Sequence, residues 1–297
     1  MKNCKIVACM LGFVLAFMVA AAAADKPPLT FKFKAFDVPG ATATNSGGIN
    51  NKGVIVGQYI DGNLVGHGFI LNGKKLTKLD DPKGSSGTTG ASNLALNGPI
   101  AVVGTYVSST TGGSVGFLYK GGKFTDIPGP AGSLASTANA INDHGDVTGA
   151  YVDSAGNQHA YVLKGKKYTK LDPPGATAPS GNGINNSGNV VIVGGASPNF
   201  TAYLYTAKTK KFKTINVPGE TGSFVTDINT GGDVTYQAID SAGNSHGALF
   251  HKGKYYKYDY KTSALTYAGC VNDHSTIVGG YASTARGQIH GLLATFK

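Results

Sequence analysis

Gly183-Ile184-Asn185-Asn186-Ser187-Gly188-Asn189-Val190-Val191-Ile192-Val193-Gly194 decides how the rest of the chain is read. Ile184 ends a short apolar strand, Asn185 to Gly188 tolerate positive φ, and the β-branched run Val190 to Val193 returns antiparallel, so the stretch is a hairpin. The chain restates it as Ile49-Asn50-Asn51-Lys52-Gly53, Leu96-Asn97-Gly98, Ile141-Asn142-Asp143-His144-Gly145, Ile228-Asn229-Thr230-Gly231-Gly232 and Val271-Asn272-Asp273-His274. Counted from Asn50 through Asn97, Asn142, Asn185 and Asn229 to Asn272, the steps are 47, 45, 43, 44 and 43 residues. A period of that length marks stacked or radial repetition of one supersecondary unit.

The third copy shows what the unit contains. Strands are expected over 138–141, 146–152, 159–163 and 167–171, separated by short turns and closed by Asp172-Pro173-Pro174-Gly175. Four short antiparallel strands per period is the form of a β-propeller blade. Fourth strands are visible in five copies, and the sixth runs out at Phe296-Lys297. The missing one is at the other end: Phe31 to Ala41 matches Lys211 to Gly219, so the N-terminal segment completes the last blade and closes the ring. The expectation is an all-β, six-bladed β-propeller with blades near 46–80, 92–127, 137–171, 180–216, 224–260 and 266–297 plus 30–37. An open β-solenoid is the competing architecture and would want distinct capping repeats.

Met1 to Ala24 reads as a secretory signal peptide, with Lys2 and Lys5, an apolar run from Ile6 to Met18, and small residues before Asp25. Cleavage near Ala24 leaves a single domain over 25–297 that is secreted or periplasmic and has no membrane span. It also removes Cys4 and Cys9, so Cys270 is the sole thiol left and no intramolecular disulfide can form. Glycine at 44 residues, no Trp and 14% charged residues suit a turn-rich β protein. The formal charge of +10 rests on lysines gathered along the fourth strands, where they protect exposed sheet edges or present a polyanion-binding surface. A lone arginine, Arg286, argues against sequence-specific nucleic-acid binding.

The third strands His67-Gly68-Phe69 and His159-Ala160-Tyr161, beside the Gly-Ile-Asn-Asn-Ser-Gly and Val-Pro-Gly-Ala-Thr motifs, resemble the bacterial extracellular HAF-repeat proteins over Phe31 to Lys297. The resemblance implies secretion and a repeat fold, and it carries no activity. Val115 and Thr201 depart from it at the His position.

No catalytic or metal signature emerges. His67, His159, His246 and His290 recur at equivalent strand positions, which separate blades hold apart, so a structural role is expected of them. Asp61-Gly62-Asn63, Asp153 to Asn157 and Asp240 to Asn244 lack the distal Glu of a calcium loop and read as turns. Small residues are expected near the axis, just before each inner-strand apolar position: Gly48, Ala95, Ala140 and Gly183. Asp227 and Cys270 break that rule in neighbouring copies and are the only candidates for catalysis. Glu220, Thr221, Asp227 and Cys270 are the candidate ligand-binding residues, on the face that carries the fourth-to-first-strand loops. No metal or cofactor is expected. The function expected is a monomeric binding module for a glycan, a cell-envelope component or a protein partner. The alternative is an envelope hydrolase or lyase working at the channel mouth.

Overall fold

The computed structural model describes residues 29–284 and 287–297. The signal-peptide reading of Met1 to Ala24 and the arginine at 286 lie outside the described residues. Among the described residues, every regular element is a strand, and no helix is long and apolar enough to cross a membrane.

After β1 (Phe31–Phe36) come four four-stranded antiparallel sheets. The first holds β2 (Ala43–Ile49), β3 (Ile55–Ile60), β4 (Gly66–Asn72) and β5 (Lys75–Leu79). The second holds β6 (Gly90–Leu94), β7 (Ala101–Val107), β8 (Ser114–Lys120) and β9 (Lys123–Ile127). The third holds β10 (Ala135–Ile141), β11 (Val147–Val152), β12 (Gln158–Lys164) and β13 (Lys167–Lys170). The fourth holds β14 (Ser180–Ile184), β15 (Val190–Gly194), β16 (Thr201–Thr206) and β17 (Lys211–Thr214).

The remaining strands form one eight-stranded sheet. It contains β18 (Gly222–Ile228), β19 (Val234–Ile239), β20 (Ser245–His251) and β21 (Lys254–Tyr258), then β22 (Leu265–Val271), β23 (Thr276–Ala282) and β24 (His290–Phe296). Its two halves touch through a single parallel pair, Ser245 with Leu265. The outer strand of the second half is β1, which pairs antiparallel with β24 from Phe31↔Phe296 to Phe36↔Gly291. Phe31 and Phe33 pack their rings against Tyr258 at 4.6 and 5.6 Å between centroids, which fastens the chain ends with apolar contact as well as with a ladder.

Each first strand packs on the next along the chain, and β2 contacts β22, β23 and β24, so the sheets run around a closed ring in the manner of a β-propeller. The core lies between sheets. Val191, Val193 and Ala202 of one sheet meet Val225, Tyr236 and Ala248 of the next, and five further clusters repeat this arrangement around the ring.

The repeated Asn is explained by the hydrogen bonds it makes. Asn185 Oδ1 accepts the N–H groups of Ser187 and Asn189 and so closes its own turn, while its Nδ2 donates to the Asn229 carbonyl of the following sheet. Asn142, Asn229 and Asn272 do the same, the last reaching Asn50 across the chain ends at 3.0 Å. Sequence reading and structure part in the second copy. Ala95, whose N–H donates to Ala101 O, occupies the place that Asn50 fills by donating to Val54 O. The turn after it is two residues longer than its counterparts, which carries the look-alike Leu96-Asn97-Gly98 out of register. The axial position of that sheet therefore belongs to Asn93, and Ala95 sits in the turn.

Candidate ligand cavity

Every first strand carries a β-bulge at the same place: Ser46/Gly48, Ala91/Asn93, Ala138/Ala140, Gly181/Gly183, Val225/Asp227 and Ala268/Val271. A bulge bends its strand and re-aims the side chains around it. Here the bulges separate an open cavity on one side from a closed floor on the other.

The cavity measures about 780 Å³ and opens on the face that carries the fourth-to-first-strand loops and the second-to-third-strand turns. Its first-strand lining comes from the bulged residues Ser92, Asn139, Asn182 and Thr226 and from residues just ahead of the bulges, including Asn45, with Phe224 and Tyr267 as aromatic surfaces. Gln58, Gln158 and Gln237 reach in from the second and third strands. Among the described residues, no Asp, Glu, Lys, Arg or His side chain lines it. Several of the amides are held in place: Asn182 Nδ2 donates to Val225 O at 2.9 Å, Gln158 Nε2 to Ala178 O at 2.9 Å, and Asn139 Nδ2 to Ser180 Oγ at 2.9 Å. The Tyr267 hydroxyl donates to Asn45 Oδ1 at 2.5 Å, linking the last sheet to the first. A cavity of this kind offers fixed donors and acceptors and two ring surfaces, with no formal charge from the described residues.

Asp227 and Cys270 are placed in the floor. The Asp227 carboxylate accepts from Val271 N–H at 3.2 Å, from Asn93 Nδ2 at 3.4 Å, from Ile228 N–H and from the Cys270 thiol. Asp227, Asn93 and Cys270 are all buried. Glycine is required opposite them: a Cβ on Gly183 would lie 2.7 Å from Asp227 Cα, and one on Gly48 would lie 2.8 Å from Asn93 Cα. Burial pushes the Asp227 carboxyl up to about 6, with the four donors pulling the other way. Burial and the neighbouring Asp227 charge both push the Cys270 thiol well above its ordinary range. A thiol held protonated and a carboxylate already saturated with donors form a structural plug between neighbouring sheets. Of the two, Cys270 borders the cavity and Asp227 does not.

Glu220 and Thr221 stand outside the cavity. Glu220 Oε1 accepts from Lys257 Nζ at 2.8 Å with the Glu side chain nearly buried, and Thr221 N–H donates to Ile239 O.

The histidines form intrasheet clamps. His159 places Nδ1 2.6 Å from Asp172 Oδ2 and Nε2 3.1 Å from Asp153 Oδ2. His67 lies in the same way between Asp80 and Asp61, and His246 between Asp259 and Asp240. His290 bonds Asp37, tying β24 to the segment that follows β1. The turn aspartate has two tasks, since Asp153 Oδ1 also accepts the Ala155 and Asn157 N–H groups at 2.9 Å. Those donors and His159 hold Asp153 down at about 2. Burial opposes charge on His159, but the two carboxylates outweigh it and raise the pKa. No group of His, Cys, Asp and Glu suited to hold a metal occurs among the described residues.

The sequence reading names the face on which the cavity opens, and Cys270 at its border, but not the amides of Asn139 and Asn182 that line it. A signal is present, since Asn139 and Asn182 stand three residues before the repeat Asn, with Gly47, Ser92, Thr226 and Gly269 in the matching places. What hides them is the bulge, which turns that position toward the axis and cannot be placed from alternation alone.

No family model matches the chain, and no curated protein matches it. Solved structures do. AofleA from Arthrobotrys oligospora is similar at 10% identity over 89% of this chain and 86% of its own, with a TM-score of 0.53. A point mutant of Aleuria aurantia lectin in complex with alpha-methyl-L-fucoside is similar at 12% identity over 89% and 96%, with a TM-score of 0.51. TolB from Acinetobacter baumannii is similar at 11% identity with a TM-score of 0.50; the match covers 78% of this chain, which spans 62% of the TolB chain. At these identities the likeness is one of fold.

Proposed function

We propose that the chain is an exported, six-bladed propeller of the HAF-repeat kind that works as a binding module, with the amide-lined cavity as its ligand site. The eight-stranded sheet is two blades that share one bridge, and β1 is the outer strand of the last blade. The observation that carries the reading is the cavity wall, where amides, hydroxyls and two aromatic rings meet with no charged side chain among the described residues. Amides present a donor and an acceptor side by side, which suits vicinal hydroxyls, and rings suit the C–H face of a sugar. An uncharged, hydroxyl-rich ligand such as a neutral saccharide fits best. A ligand with a carboxylate or an ammonium group would be desolvated there with no countercharge from those residues.

Gln58 is the group to test. It is half-buried, borders the cavity and makes no side-chain hydrogen bond among the described residues, so its amide is free for a ligand. Thermal unfolding of the mature protein against neutral oligosaccharides should show a raised midpoint with one of them, because a ligand for the native state stabilises it by mass action. Gln58→Ala should unfold like the parent and lose that shift. A midpoint raised only by charged compounds would retire the cavity reading.

The alternative, a hydrolase or lyase using Asp227, requires a carboxylate with free lone pairs facing substrate. Asp227 instead accepts four donors below the floor.

A further inference from the structure

The charged residues of this molecule are sorted by face. On the cavity face, carboxylates predominate and most are matched by a cation, as with Asp80 and Lys78, Asp172 and Lys170, Asp126 and Lys83, and Glu220 and Lys257. The opposite face carries the first-to-second-strand and third-to-fourth-strand turns, and there lysines predominate. Lys166 and Lys167, Lys210 and Lys211, and Lys252 and Lys254 are exposed on three successive third-to-fourth-strand turns, and no ion pair engages them among the described residues. Lys74 and Lys75 continue the pattern in the first sheet.

The carboxylates on that face do not neutralise them. Asp143 accepts from Asn97 and Asn186, Asp273 from Thr230 and Asn51, Asp146 pairs with Lys164, and Asp233 pairs with His251 at 2.6 Å. All four lie in the inner turns, nearer the axis. The rim outside them is left as a band of positive charge that recurs from repeat to repeat around the circumference.

We propose that this rim is a docking surface for an acidic polysaccharide. The charges are spread along an arc at the interval of the repeat, which suits a polymer bearing regularly spaced carboxylates. Lysine presents a point charge, without the planar fork that reads phosphate bidentately, and the described residues hold no arginine on this face. The exposed large apolar side chains, Ile60, Leu64 and Leu134, all lie on the cavity face, so the rim presents none of them to insert between lipid chains. The inference is independent of the cavity reading. It gives the disk an orientation, with the cavity turned away from the matrix that holds it.

The test is equilibrium binding of the mature protein to polygalacturonate at low and high salt, with dextran, phosphatidylglycerol vesicles and duplex DNA as comparison probes. Binding to polygalacturonate at low salt, weakened at least tenfold by raising ionic strength, is the expected result. The Lys167→Glu plus Lys211→Glu variant should weaken it at least tenfold, while Lys83→Glu plus Lys261→Glu, with the same change in net charge on the cavity face, should weaken it less than twofold. Both proteins should keep their unfolding midpoint within a few degrees, and Gln58→Ala should bind polygalacturonate as the parent does. Equal loss in the two charge variants would reduce the effect to net charge and overturn the proposal. So would tighter binding to the vesicles or to DNA, or no binding to polygalacturonate at low salt.

Discussion

The two faces of the disk are built from the same repeat and obey different rules. On the turn face, an Asn ends the first strand and closes its turn in five of the six copies, and in four of them it also donates to the neighbouring sheet. On the cavity face, equivalent positions hold Asn45, Gly90, Thr137, Ser180, Phe224 and Tyr267. Hydrogen bonds between sheets tolerate only one geometry, so that face repeats. A cavity wall needs only to be solvated or to meet a ligand, so that face is free to vary, as binding surfaces on rigid scaffolds are.

The largest effect that would break this contrast is at Asn185. Asn185→Ala removes a buried amide and leaves the Ser187 and Asn189 N–H groups of a part-buried turn and the Asn229 carbonyl short of a partner, at a cost of roughly 1–3 kcal/mol. Chemical denaturation should show that loss, whereas Gln58→Ala on the other face should stay within about 0.5 kcal/mol of the parent. Similar losses at both would mean that the cavity amides are structural too.

The floor between the faces gives the next effect, and it depends on pH. The folded-state pKa of Asp227 is raised, so its contribution to stability is fully present below the unfolded value near 4 and is lost as pH rises through about 6. The parent should therefore lose stability on going from pH 4 to pH 7. Asp227→Asn removes that titration and should change less in stability between pH 4 and pH 7 than the parent, while its amide leaves a buried donor of the floor without an acceptor. An unchanged pH profile in the variant would show that the carboxylate is solvated and open to the cavity, as the enzyme reading requires.

The clamps at the cavity face give the smallest effect. His159 has a raised pKa, so the stability it adds is present below about 6.5 and is lost as pH rises past its folded value. His159→Gln should be less stable than the parent at pH 5, and the two should converge at pH 9. Asp153, held at about 2, acts in the opposite sense, its contribution being lost only as pH falls below 4 toward 2.

How much of this the sequence discloses follows the same division. The strands, the turns and the joining of β1 to β24 are legible, because they depend on local chemistry that recurs with the repeat: a β-branched run, a turn rich in Asn and Gly, a lysine followed by an apolar residue on the edge strand. The partners of His159 are not legible, since Asp153 and Asp172 lie on two different turns that only the sheet brings to one ring. Asn93 escapes notice because Leu96-Asn97-Gly98 mimics the repeat two residues late. The face of the cavity is legible, but its amide lining escapes for a related reason. Six bulges each shift the phase of the inner strand, and alternation read without them points Asn139 and Asn182 the wrong way.

The measurement that bears most directly on the cavity reading is calorimetric titration of the parent and of Gln58→Ala with the neutral saccharide that raises the unfolding midpoint, at low and high salt. The parent should bind it with one affinity at both ionic strengths, since the described cavity wall carries no charge to screen, and Gln58→Ala should bind at least tenfold more weakly. Affinity that collapses in high salt, or that survives Gln58→Ala intact, would place the ligand somewhere other than this cavity.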